Sequence, residues 1–170
     1  MWIRMQRLVG VFFCGIVVVL SGQSWAGWEY TTWGMTPQET ANASHGTIHV
    51  VSTTHDPDLQ VKGGDLEATG MWKQDAVQFD AKFYFGPEGL RLVKLIIAEP
   101  NQCEDVFLSL RGRLGTAHAK SELGSDIWRF PSEDNEIRAV DLRHESPLIT
   151  DCYITYERTP PVEPADSGNR

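Results

Sequence analysis

VQFDAKFYFGPEGLRLVKLIIA, residues 77 to 98, decides the fold. Val77, Phe79, Ala81, Phe83 and Phe85 alternate with Gln78, Asp80, Lys82 and Tyr84, the period-two pattern of a strand with one buried face and one wet face. Gly86-Pro87-Glu88-Gly89 has the composition of a hairpin turn, and Leu90 to Ala98 returns as a nearly all-apolar strand. Two earlier strands join this hairpin. Ile48, Val50, Ser52 and Thr54 share one face, until His55-Asp56-Pro57-Asp58 breaks the pattern. After VKGGD, Leu66 to Lys73 carries Trp72. The result is one antiparallel sheet covered on one side.

A short helix precedes the sheet. In WGMTPQETANAS, residues 33 to 44, Thr36 is the cap, Pro37 fits the first helical position, and the Glu39 carboxylate reaches back to the Thr36 amide. The helix is expected to stop near His45, with Gly46 as a left-handed cap and the small Ala41 and Ala43 turned inward.

The pattern then starts again. Asn101 is the expected cap of a second helix, with Glu104 at the capping-box position, Arg111 and Arg113 late, and Gly115 beyond; Cys103, Val106 or Phe107, Leu110 and Leu114 form its apolar stripe. Gly112 inside it marks a close helix contact or an early end. Strands are expected at Ser125 to Phe130, Asn135 to Arg143 and Ile149 to Arg158. The fold class is therefore α+β, a two-layer tandem repeat of short helix plus antiparallel sheet, with pseudo-repeats at about 33–99 and 100–158. Trp72 matches Trp128, with Leu95 falling on Cys152 and Ile97 on Ile154. The expected core is Val77, Phe79, Phe83, Phe85, Val93, Leu95, Ile97, Phe107, Leu110, Val140, Leu142, Ile154 and Tyr156.

The ends of the chain read differently. Arg4 and Arg7, the apolar run Leu8 to Leu20, and Ser24-Trp25-Ala26 have the layout of a secretory signal over residues 1–26. The run is shorter than the ~20 residues of a membrane-spanning helix, so no stable membrane anchor is expected after cleavage. Residues 27–158 form one domain, and RTPPVEPADSGNR supplies a disordered tail from 159 to 170. Localisation is periplasmic or secreted. The chain carries a net charge of −8, and the signal removes two arginines and no acids, leaving −10. So acidic a surface disfavours nucleic acid and anionic lipid and favours a cationic partner. Cys103 and Cys152, the two cysteines of the exported chain, are expected to form a disulfide.

Trp33 to Pro37, the Phe83 to Phe85 strand, Gly89-Leu90 and Val93 to Leu95 together resemble the beta-lactamase-inhibitory-protein-like fold, whose half-unit is shared by small lipoproteins of outer-membrane assembly. The match covers the first half of the chain; the second half follows in pattern alone, with no Gly-Met-Thr-Pro counterpart at Glu99 to Cys103. The resemblance implies two helix-plus-sheet units whose combined sheet face grips a partner protein without catalysis. One mature cysteine pair departs from the inhibitors, so the fold transfers and the partner does not.

No stretch compels an enzyme. His49 and His55 on one extended strand lie about 20 Å apart, too far to share an ion with His45, and the acids around Asp56 and Glu133 lack EF-hand spacing, so no metal or cofactor is indicated. Gly-x-Ser-x-Gly, HExxH, GxGxxG and the phosphate-binding loop are absent from the sequence. His118 or His144 as the base of a small hydrolase is the alternative to a non-catalytic module that inhibits or scaffolds another protein. Trp33, Trp72, Trp128, Tyr84 and Tyr153 are the candidate binding aromatics. Trp72 and Trp128 are equally candidate core anchors.

Overall fold

The computed structural model describes residues 27–54, 64–121, 124–143 and 151–159. Helix α1 (Pro37–Ala43) is followed by β1 (Ile48–Thr54), β2 (Asp65–Gln74), β3 (Val77–Gly86) and β4 (Gly89–Ile97). Helix α2 (Cys103–Leu114) is followed by β5 (Ala119–Lys120), β6 (Asp126–Phe130), β7 (Asn135–Asp141) and β8 (Cys152–Arg158). All strands join one antiparallel sheet in the order β1-β2-β3-β4-β8-β7-β6-β5, so the architecture is α+β. The two meanders meet through their last strands, β4 against β8. The expected signal lies outside the described residues, as do His55, His144 and residues 160–170. Thr159, expected in the tail, donates its amide to the Asp134 carbonyl.

The 77–98 hairpin forms as its alternation requires, with one addition. Gly86 pairs with Gly89 and Phe85 with Leu90, but Tyr84 pairs with Leu92, so Arg91 is the extra residue of a bulge. Gly89 has φ +89°, and a Cβ there would lie 2.2 Å from the Gly34 carbonyl oxygen. The gap is closed instead by two backbone bonds, Gly34 amide to Leu90 carbonyl and Leu90 amide to Met35 carbonyl. The Trp33 to Pro37 and Gly89-Leu90 pieces, far apart in sequence, therefore touch.

Helix α1 starts as read, with the reciprocal capping box: the Glu39 amide donates to the Thr36 hydroxyl and the Thr36 amide to the Glu39 carboxylate. Those bonds hold the Glu39 carboxyl below its ordinary pKa. Its end differs. The last helical residue is Ala43, and His45 and Gly46 both take positive φ. Thr40, not Ala41 or Ala43, is the fully buried position. The start of α2 also departs from expectation. Pro100–Gln102 form a 3-10 turn, the helix begins at Cys103, and its cap position, Gln102, makes no side-chain capping bond. Asn101 is therefore not the cap. Gly112 does not end α2, and a Cβ there would meet nothing within 4 Å, so no close contact explains it.

Residues 27 to 35 form a strap on the helix side. Its Trp28 is 3 % exposed and packs edge-on to Tyr30 and Trp72, with ring centroids at 5.5 and 5.0 Å, and tilted on Phe83 and Tyr156. Burial pushes the Tyr156 hydroxyl up to about 12. Asn135 of β7 donates to the Gly27 carbonyl at 3.0 Å. The core around this ring holds Phe79, Phe83, Phe85, Val93, Leu95, Ile97, Phe107, Leu110 and Ile154 as expected, and adds Trp28, Ile48, Leu90, Trp128, Ile137 and Ala139. Val77 and Tyr156 pack at its margin. Val140 is a correction: it is buried, but outside this core, because Ile137 and Ala139 face the helices and Val140 points the other way. Leu142 is half-buried beyond the end of β7 and also lies outside the core.

The Cys103–Cys152 disulfide ties the first residue of α2 to the first of β8, with both cysteines fully buried. The loop it closes spans 49 residues, for which the chain-entropy model gives about 4 kcal/mol. The Cys103→Ala/Cys152→Ala chain should lose that order of stability in urea titration, and the parent, denatured without reductant, should show neither thiol free. At Gly112→Ala the sign reverses: open space and helical backbone should give a gain of about 0.5–1 kcal/mol in the same titration.

Candidate functional site

With helices and strap packed on one side of the sheet, the functional question moves to the other side. Cross-strand neighbours share a face, and three rows run across this one. Tyr84, Leu92, Glu157, Glu136 and Arg129 form the first; Lys82, Lys94, Thr155, Arg138 and Ile127 the second; Met71, Asp80, Ile96, Tyr153 and Val140 the third. Tyr84, Leu92, Ile127 and Val140 are buried here, apart from the helix-side core. Lys82, Lys94, Arg138, Ile96 and Tyr153 are half-buried, Asp80 is exposed, and Met71 is 54 % exposed.

The sequence-selected aromatics divide between the two sides. Tyr153 is on this second face, and its ring lies under the Lys94 ammonium, 4.2 Å from Nζ to centroid. Tyr84 is on the same face but only 2 % exposed, so it supports the surface more than it presents to a partner. Trp128 is fully buried on the helix side, its indole donating to the Gly115 carbonyl at 3.0 Å. Trp33 and Trp72 also pack against the helix-side core. Trp128 is a core anchor, while Trp33 and Trp72 remain half-buried at the margin of that core.

Sequence reasoning missed the charged members of the face. Glu136, with its side chain 10 % exposed, is gripped by Arg129 Nε at 2.8 Å and Arg138 Nε at 2.6 Å. Burial raises the Glu136 pKa, but the two guanidiniums outweigh it and hold the carboxyl below its ordinary value. This clamp also relieves Glu157, which sits directly opposite Glu136 on β8.

Among the described residues, clefts also lie around α2. The first, about 180 Å³, is lined by residues that include Asp75, Phe79, Asp105, Ser109 and Arg113. Two broader ones share Arg111. In them Arg111 and Lys120 pair with Asp126, and Arg143 with Asp141 and the Pro100 carbonyl. His118 accepts the Arg129 amide proton at Nδ1 and lies against Phe130. Among the described residues no cluster of His, Cys, Asp or Glu could hold a metal ion, and no helix is long and apolar enough to cross a membrane.

Comparison with protein-family models, with curated proteins and with solved structures finds no match to this chain.

Glu136→Gln should lose about 1.5–3 kcal/mol at neutral pH, the range for hydrogen bonds to charged groups. A depressed carboxylate stabilises above its unfolded pKa, and this contribution disappears as pH falls through the folded value. Denaturation of parent and variant should therefore differ at neutral pH and converge as pH falls below the ordinary carboxylate range.

Proposed function

We propose that this chain is an exported, non-catalytic module that binds another protein, as its inhibitor or scaffold, through the open face of the sheet. The observation that carries this reading is the division of the sheet. One face is filled by helices, strap and core, while the other holds half-buried cationic, aromatic and apolar side chains across β3, β4, β8 and β7. Central aromatic and arginine residues with apolar neighbours are what protein interfaces concentrate.

Export is supported by the formed disulfide, which fits an oxidising compartment. Cleavage after Ala26 would start the mature chain at Gly27, where a Cβ would lie 2.2 Å from the Thr31 carbonyl oxygen. The two helix-plus-meander halves are, in this reading, a tandem repeat of the beta-lactamase-inhibitory-protein-like kind. Anchored on the tryptophans, the ladders run Trp72–Phe79–Ile97 and Trp128–Ile137–Tyr156. They lay Ile97 on Tyr156 and Leu95 on Ile154, two residues from the alignment read in the sequence. In favour of this repeat, Leu95 and Ile154 pair directly across the β4–β8 seam, as equivalent residues about a two-fold axis would.

Mature protein used as bait in envelope extract of its host should capture one stoichiometric protein. Tyr153→Ala should weaken that capture at least about tenfold, the loss of one interface anchor, whereas Gly112→Ala should leave it unchanged. Turnover of a small substrate abolished by His118→Ala or His144→Ala would overturn the reading in favour of a hydrolase.

A further inference from the structure

We propose that Asn135 of β7 is the receptor for the chain's new amino terminus: cleavage of the Ala26–Gly27 bond frees an α-ammonium on Gly27, and that ammonium seats on the Asn135 side-chain oxygen. The inference rests on the export reading and is independent of the partner.

Gly27 is already held. It is buried, and the Asn135 side-chain amide donates to its carbonyl at 3.0 Å across 108 positions of sequence. Behind it Trp28 and Thr31, both buried, close a tight turn, with the Trp28 amide donating to the Thr31 hydroxyl at 3.2 Å and the Thr31 amide to the Trp28 carbonyl at 2.8 Å. The first residues of a domain are loose unless something ties them down. Here the tie begins at the residue that cleavage would expose.

Half of the Asn135 amide is unused. Asn135 is 5 % exposed, and while its Nδ2 holds Gly27, its Oδ1 is buried with no hydrogen-bond partner among the described residues. The Thr159 hydroxyl, next to Arg158, the cross-strand neighbour of Asn135, is buried without a partner as well. A buried acceptor left unmatched weakens the fold. The Gly27 nitrogen is three bonds from the carbonyl that Asn135 grips, within roughly 3.6 Å of that oxygen. In a continuous chain this nitrogen carries one proton, whose direction the peptide plane fixes. Hydrolysis by a signal peptidase places the hydroxyl of water on the Ala26 carbonyl carbon and its hydrogen on the Gly27 nitrogen, which takes one more proton from solvent. The resulting ammonium has three donors and turns freely about its bond to Cα. One side-chain amide then holds both ends of one residue, the carbonyl by Nδ2 and the ammonium by Oδ1. Glu29 and Asp134, close along the chain to Gly27 and Asn135, add negative charge, and the Arg158 guanidinium is paired with Glu88 at 3.0 Å. The cut chain therefore completes a contact that the uncut chain leaves open, so folding finishes after export and the precursor stays looser for its passage through a membrane.

Every described element lies from residue 27 onward, so the chain from Gly27 is the folded unit to test. Two chains released from a carrier differ only at this end: one begins at Gly27, the other at Gln23, so that its Gly27 keeps a peptide amide. In urea titration the longer chain should have an unfolding constant at least about tenfold larger, the loss of one hydrogen bond with a charged partner. Asn135→Ala should cost the Gly27 chain more than the Gln23 chain by a similar factor, because only the former loses both bonds. The Asn135 side-chain amide signals should differ between the two parents in NMR, and the Trp28 amide should exchange more slowly in the Gly27 chain. Where Asn135→Ala does not fold, those two NMR measurements on the parents carry the test. Equal stability of the two chains, an equal cost of Asn135→Ala in both, or Asn135 signals indifferent to the chain end would overturn the clamp and leave an ordered water as the partner of Oδ1. Exported protein whose intact mass begins elsewhere than Gly27 would overturn the maturation step by removing its premise, even where the two released chains differ.

Discussion

Pairing of Leu92–Ile96 in β4 with Tyr153–Glu157 in β8 is the constraint on which the rest of the molecule depends. Each four-stranded meander alone would end in an open edge at its last strand, a row of unpaired amides and carbonyls. The seam satisfies both edges at once and aligns both faces. On the helix side it sets Leu95 beside Ile154 in the core and Val93 beside Tyr156 at its margin. On the other side it brings Lys94 beside Thr155 and Ile96 beside Tyr153, so the cationic row and its apolar neighbour exist only because the halves are fused. The disulfide stands where β8 begins and fixes α2 over the same junction.

The strap completes the helix side and ties the two halves of the sheet together. Trp28 fills the space among Trp72, Phe83 and Tyr156, while the Gly27 carbonyl is held by Asn135 from the second meander. A segment that precedes the first helix is thus tied to both halves. Of the aromatics selected from the sequence, Trp128 is fully enclosed on that side, and Trp33 and Trp72 are half-buried against the same core.

Net charge and local charge separate in this fold. Acidic groups such as Glu39, Glu88, Glu99, Glu104 and Asp105 lie in the helices and connecting segments, while the sheet face away from the helices mixes Lys82, Lys94, Arg129 and Arg138 with Asp80, Glu136 and Glu157. Net charge sums the whole surface and governs long-range approach. Contact at a site is governed by the few charges within a Debye length, about 8 Å at physiological salt.

What the sequence determined by itself was local. Alternation in 77–85 fixed a half-buried strand, Thr36-Pro37 with Glu39 fixed a capped helix, and an even cysteine count pointed to the bond that forms, because each depends on groups close along the chain or on composition alone. Tertiary structure decided everything that needed a register. In the nearly all-apolar run from Leu90 no alternation shows which residues face which way, and only the bulge at Arg91 sets Lys82 against Lys94 instead of against Val93. In β7 both Ile137 and Val140 are apolar, and pairing with β8 alone put the first in the core and the second on the far face. Trp28 carries no periodic signal. Its place at the centre follows from the cavity that two helices and eight strands leave, a volume that exists only after the long-range contacts have formed.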